Sequence, residues 1–161
     1  MTENILYILM RTDLPSMNSG KGMAQASHAS NKFIHDMSLM SRNEVPLVDE
    51  LLFGQSRLWS SQTDQGFGTV LVLGCSLVDI ESVSIKNSSY FSGVVVDPTY
   101  PYIVNNEIVP FISDRVHTMQ PMPCADGTSV CFRCEVTCAY LFGSKNDADV
   151  QSAVGHLSLH P

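Results

Sequence analysis

The sequence predicts a single α/β domain of three layers, a mixed four-stranded sheet with helices on both faces, interrupted by one long insertion at about 98–135. Three observations predict it. Ile5 to Met10 is an unbroken apolar run, short enough for a strand and apolar on both sides, which suits the centre of a sheet covered by helices. A helical period follows, with Met23, Ala26, Phe33, Ile34, Met37 and Met40 recurring, a gap at Ser30, and no Pro or Gly inside the run. The strand-then-helix order then repeats, with a second strand from Thr69 to Leu73, ended by Gly74, and a helix after it.

Taken in order, the first strand and first helix are joined by a loop carrying Gly20, Lys21 and Gly22, a cation on flexible backbone where the unpaired amides of a helix N-terminus point outward. That combination suits an anion. The first helix ends near Ser41 to Asn43; a second begins at Pro46, with Leu47, Val48, Leu51 and Leu52 on one face, and Gly54 interrupts it before Leu58 and Trp59. Trp59 is read as a core residue rather than a base-stacking platform. Ser60 to Gly68 is a polar loop. After the second strand, Ser76 and Asp79 form a capping box that starts a helix at Leu77, running toward Asn87. Ser92-Gly93 leads into a third strand, Val94 to Val96, ending at Asp97; the fourth is Ala139 to Phe142, stopped by Gly143. Ser144 and Asp147 suggest a cap for the last helix, whose buried stripe is Ala148, Val150, Ala153, Val154 and Leu157.

Bulk properties narrow the classes. The 161 residues, 44% of them hydrophobic, allow one domain with a substantial core. No apolar stretch approaches a bilayer span and the Met-Thr-Glu-Asn start lacks a signal peptide's basic region, so no membrane partner and a cytoplasmic location are expected. A net charge of −7 argues against broad binding of a polyanion. Residues 1–33 nevertheless carry Arg11, Lys21 and Lys32 against Glu3 and Asp13, a local +1 that leaves −8 elsewhere. Any RNA contact is therefore local. The phosphate-loop spacing fails, because Pro15 stands where glycine is needed and Gly22 where a hydroxyl is needed.

A different motif fits. Arg11-Thr12-Asp13-Leu14, Met17, Gly20-Lys21 and Ala24-Gln25-Ala26-Ser27-His28-Ala29, with Val154-Gly155-His156-Leu157-Ser158-Leu159 closing the chain, resemble the two signatures of type II peptidyl-tRNA hydrolases, in the family's order. Lys21 falls on the second lysine of that family's loop, the one implicated in its chemistry; Ser19 replaces the first lysine and Met23 an alanine. The resemblance also implies an active-site aspartate at the end of the third strand, matched here by Asp97, whose neighbours are Pro98 and Thr99 in place of alanine and glycine. A carboxylate at a strand's C-terminal end sits at the rim where open α/β folds place their ligands. The plain alternative is that Asp97 caps a turn, Asp-Pro being a common turn opening.

What the resemblance implies is hydrolysis of the ester between a peptide and the terminal ribose of tRNA, with Lys21, Asp97 and Thr99 as catalytic residues and Arg11, Ser19, Gly20, Gly22 and Gln25 binding the tRNA acceptor end. Thr128 and Thr137 are further candidates for the family's active-site threonines. The ester needs no metal, and no cofactor is expected. His28 and His156 are read as structural.

The insertion lies outside the resemblance. Ile103-Val104, Ile108 to Ile112 and Ser129 to Phe132 suggest an added hairpin or edge strand, and Asp126-Gly127 a turn. Four of the five cysteines fall here or just after, Cys124, Cys131, Cys134 and Cys138. A zinc site from Cys131, Cys134, Cys138 and His117 is one reading; reduced thiols are the preferred one, since an extended Cys131–Cys134 spacing points the two to opposite faces. The rival function is a non-catalytic binding protein on the same scaffold, engaging a protein or small ligand through the insertion, with a homodimer left open.

Overall fold

The computed structural model describes residues 3–14, 17–41, 50–83, 87–104, 122–123 and 129–161. Ten elements follow in order: β1 (Asn4–Arg11), α1 (Ser19–Ser41), α2 (Glu50–Ser60), β2 (Val70–Cys75), α3 (Leu77–Val83), β3 (Tyr90–Val104), β4 (Met122–Pro123), β5 (Ser129–Ser144), α4 (Ala148–Val154) and β6 (Ser158–Leu159). The strands form one mixed sheet in the order β3-β5-β1-β2-β6, with β4 also paired to β5. β1 is parallel to β2 and antiparallel to β5, while β5 is antiparallel to β3. Hence β1, β2 and β3 all point the same way.

β1 is buried along its whole length, as a two-sided apolar run requires. Its alternate side chains divide the core: Leu6, Ile8 and Met10 pack with Ala29 and Phe33 of α1 and Trp59 of α2, while Ile5, Tyr7 and Leu9 pack with Ile80 and Val83 of α3 and Val150 and Val154 of α4. Two helices therefore cover each face. On the α1 side the Phe33 ring stacks edge-on to Trp59 at 5.6 Å and Tyr140 at 5.4 Å, with Phe142 tilted at 5.2 Å. Trp59 is a core residue, its indole N–H donating to the Thr69 carbonyl. No helix among the described residues is long and apolar enough to cross a membrane.

Several boundaries differ from the sequence expectation. Gly54 lies inside α2 without interrupting it, and Leu58 is exposed while Trp59 turns inward. Pro46, Leu47 and Val48 lie outside the described residues, as do Ile108 to Ile112 and Asp126-Gly127. The capping box is present, with the Ser76 amide and hydroxyl both donating to Asp79 at 2.7 Å and the Asp79 amide returning to the Ser76 hydroxyl. For α4 the cap is Asp147 alone, whose carboxylate accepts from the Asp149 and Val150 amides. β6 was not expected; two residues carry too little pattern, and it forms because it closes part of the outer edge of β2.

The largest departure is at the insertion. β3 does not end at Asp97, and β5 begins well before Ala139: both strands continue, with Tyr100 to Val104 pairing Arg133 to Ser129 as a two-stranded arm. Ile103-Val104 and Ser129 to Phe132 thus form the expected hairpin pairing, joined by β4 on the other side of β5. The arm extends β3 and β5 past the level at which β1 stops.

Candidate functional site

Arg11 ends β1, and the rim beyond it is shared with the C-terminal end of β2. Met10 is level with Cys138, and Cys138 with Val95, so Asp97 falls just past the end of β1. That is the edge at which parallel strands present ligands.

α1 supplies the second wall. Asn18 caps it, its side-chain oxygen accepting from the Lys21 amide at 3.0 Å and its carbonyl from the Gly22 amide at 2.8 Å. Gly20, Lys21 and Gly22 are consequently the first helical turn rather than a loop, correcting the sequence expectation. Two glycines cost a helix about 1 kcal/mol each, and a capped helix of 23 residues packed on a sheet absorbs that. Ser19 and Gly20 are exposed; Gly22 is buried, with the His160 ring beside it.

Four residues after Lys21, Gln25 opens a buried stripe continued by Ala29 and Phe33. Only 4% of Gln25 is exposed. Its amide nitrogen donates to Asp97 Oδ2 at 2.6 Å, and its Oε1 accepts from the fully buried Thr137 hydroxyl at 2.6 Å. The Cys138 thiol donates to the Gln25 carbonyl at 3.2 Å. Asp97 Oδ1 accepts from the Thr99 amide at 2.9 Å and, more loosely, from its hydroxyl at 3.4 Å. That amide contact is an Asx turn, and it accompanies a shift of register between Asp97 and Tyr100. Asp97 therefore does cap a bend, and it also faces α1.

Lys21 reaches the same strand one turn of α1 away. Its ammonium donates to the Pro101 carbonyl at 2.8 Å and lies 5.0 Å above the ring of Tyr100, a side chain with no exposure. Burial holds the Lys21 ammonium below the ordinary lysine value. The Tyr100 hydroxyl in turn donates to the Met17 sulfur at 3.7 Å. Both ends of the Asp97–Pro101 stretch are thus bound to the first turns of α1, Asp97 by Gln25 and the Pro101 carbonyl by Lys21.

Arg11 is placed differently. Its side chain is buried, donating to both carboxylate oxygens of Asp13, to Glu135 at 2.7 Å and to the Val136 carbonyl at 2.9 Å. The two carboxylates hold its guanidinium above the ordinary value despite the opposing effect of burial, while its hydrogen bond holds Asp13 below the usual carboxylate range. These bonds tie the end of β1 to the base of the arm. Among the sequence candidates, Gln25, Asp97, Thr99 and Thr137 form one connected network, with Lys21 beside it. Thr128 lies outside the described residues. Sequence reasoning placed Gln25 on RNA and missed its bond to Asp97; the signal was its position at the head of the Gln25, Ala29, Phe33 stripe.

His156 lies in the turn after α4, its ring 3.2 Å from Asp79, and His28 is exposed on α1. No group of three metal-binding side chains occurs among the described residues, and His117 and Cys124 lie outside them. Cys131 and Cys134 lie on one continuous strand, without the turn that a shared ion would need. Cys75, Cys134 and Cys138 are unpaired thiols. Burial pushes Cys75 and Cys138 up to about 12, which keeps both protonated at neutral pH and unsuited to nucleophilic attack. Compared with protein-family models, with curated proteins and with solved structures, the chain matches none.

Proposed function

We propose that the chain is a peptidyl-tRNA hydrolase of the type II kind, cleaving the ester between a peptide's carboxyl carbon and the terminal ribose oxygen of tRNA. The observation that carries the reading is that the first motif holds one stretch of β3 at both ends: Gln25 bonds Asp97, distant in sequence, and Lys21, one helical turn away, bonds the Pro101 carbonyl. In this mechanism Asp97 takes a proton from a water as its oxygen attacks the ester carbon. The Lys21 ammonium, released from the Pro101 carbonyl, stabilises the oxyanion that forms. The carbon–oxygen bond to the ribose then breaks, the proton held by Asp97 passes to the leaving ribose oxygen, and the peptide acid loses its remaining proton to solvent, giving a free peptide carboxylate and a tRNA. In this reading Ser19 and the adjacent Gly20, both exposed on the first turn of α1, meet the acceptor end.

The rival reading, a binding protein that engages a partner through the arm, is favoured by one observation: the arm's own carbonyl and Tyr100 ring engage the Lys21 ammonium. Release of peptide from a defined peptidyl-tRNA separates the two, measured at low and moderate salt because a local RNA contact is salt-sensitive. The wild-type chain is expected to release peptide, and Lys21→Ala and Asp97→Asn each to lose about 100-fold or more while keeping the wild-type circular dichroism. No release by the wild-type chain refutes the hydrolase reading; full activity in either variant refutes that residue's role.

A further inference from the structure

We propose that Thr137 is a positioning residue, whose hydroxyl is turned inward by a β-bulge clamped by Arg11 and fixes the Gln25 amide so that its NH2 group faces Asp97. The pairing of β3 and β5 slips by one residue here. Val95 stands opposite Cys138 and Val96 opposite Val136, which leaves Thr137 as the extra residue. Regular alternation would send Thr137 and Cys138 to opposite faces. Instead both meet α1, Cys138 within the core cluster under that helix and Thr137 through its bond to Gln25, while Val136 packs on the other face.

The bulge is held from β1. Arg11 donates to the Val136 carbonyl and to the Glu135 carboxylate, the two residues before Thr137. The Glu135 ion pair and the Val136 bond thus tie the residues just before the bulge to the end of β1.

A buried glutamine amide can stand either way round, and its surroundings decide which. As a carboxylate Asp97 can only accept, so the NH2 end of Gln25 must face it and Oε1 must find a donor. The Thr137 hydroxyl, at 2.6 Å, is that donor. Without it Oε1 would be a buried acceptor lacking a partner, and the amide would turn or admit water. Asp97 would then lose the bond that holds Oδ2, keeping only those from Thr99 on its own strand.

The kinetic consequence rests on the hydrolase reading; the geometric one does not. The test is the scalar coupling across the hydrogen bond between the Gln25 side-chain nitrogen and the Asp97 carboxyl carbon, read by NMR together with exchange of the Gln25 NH2 protons. Coupling is expected in the wild-type chain and in Thr137→Ser. In Thr137→Val it is expected to vanish, with exchange about tenfold faster. In peptide release, Thr137→Val should lower kcat about tenfold at a nearly unchanged KM, and Thr137→Ser should restore it. Should Thr137→Val not fold, Thr137→Ala is read the same way. Coupling that persists without the hydroxyl, or that is absent from the wild-type chain, overturns the proposal. A coupling pattern as expected in a chain that releases no peptide supports the positioning of Gln25 and counts against the hydrolase reading alone.

Discussion

Replacing Arg11 by Met keeps most of the apolar stem and removes the guanidinium, and it separates two roles for this residue, contact to RNA or clamp within the fold. The Asp13 carboxylate is 41% exposed, so its loss costs no more than about 1 kcal/mol. The Glu135 side chain is 17% exposed and loses a counter-charge at 2.7 Å; breaking a fully buried pair costs about 3–5 kcal/mol, and partial access to water brings this nearer about 2 kcal/mol. The Val136 carbonyl adds about 1 kcal/mol if water does not replace its donor. The expected total is about 3 kcal/mol, a large part of the stability of an ordinary domain. Urea unfolding at pH 7 followed by circular dichroism measures it, and the cycle with Glu135→Gln isolates the coupling of that pair. A loss under about 1 kcal/mol, with tRNA affinity falling instead, would refute the clamp and return Arg11 to the RNA-binding set.

Two further outcomes follow from the electrostatics. Asp13, through its bond from Arg11, and Asp79, through bonds from the Ser76 amide and hydroxyl and then from His156, both titrate below the ordinary 3.8. Depressed folded-state values mean that the stability from these carboxylates is fully present above about pH 4 and is lost as pH falls through their folded values. Urea midpoints taken from pH 7 to pH 2 should therefore drop below about pH 4, and less so in Asp79→Asn; an unchanged drop in that variant refutes the contribution. Cys75 and Cys138 should resist a thiol reagent at pH 8 in the folded chain while the half-buried Cys134 reacts. Peptide mapping of the labelled protein reads this directly, and rapid native labelling at Cys138 would mean that the Gln25 layer opens.

The fold was legible where a pattern is local. The two-sided run Ile5 to Met10 demanded a central strand, the period from Met23 to Met40 a helix over it, and Ser76 with Asp79 a cap; the elements appear because hydrophobic period and cap chemistry are decided within a few residues, but Met23 and Ile34 of that period stand exposed and the buried face runs through Ala29 and Phe33 instead. Gly20 to Gly22 misled, since propensity favours a loop while the cap at Asn18 and the packing of α1 override it. The arm was visible only as short apolar runs. Its continuity with β3 and β5 depends on pairing residues about thirty positions apart, which no period reveals.

The sequence by itself determined the α/β class, the two faces of β1 and the identity of the polar residues near the rim, because burial and turn chemistry act between near neighbours. Tertiary structure alone decided that Gln25 bonds Asp97, that Lys21 meets Pro101, and that Thr137 turns inward through a bulge carrying no glycine to announce it. Those contacts depend on the register between β3 and β5 and the angle of α1 across them, and register is a property of paired strands rather than of either strand alone.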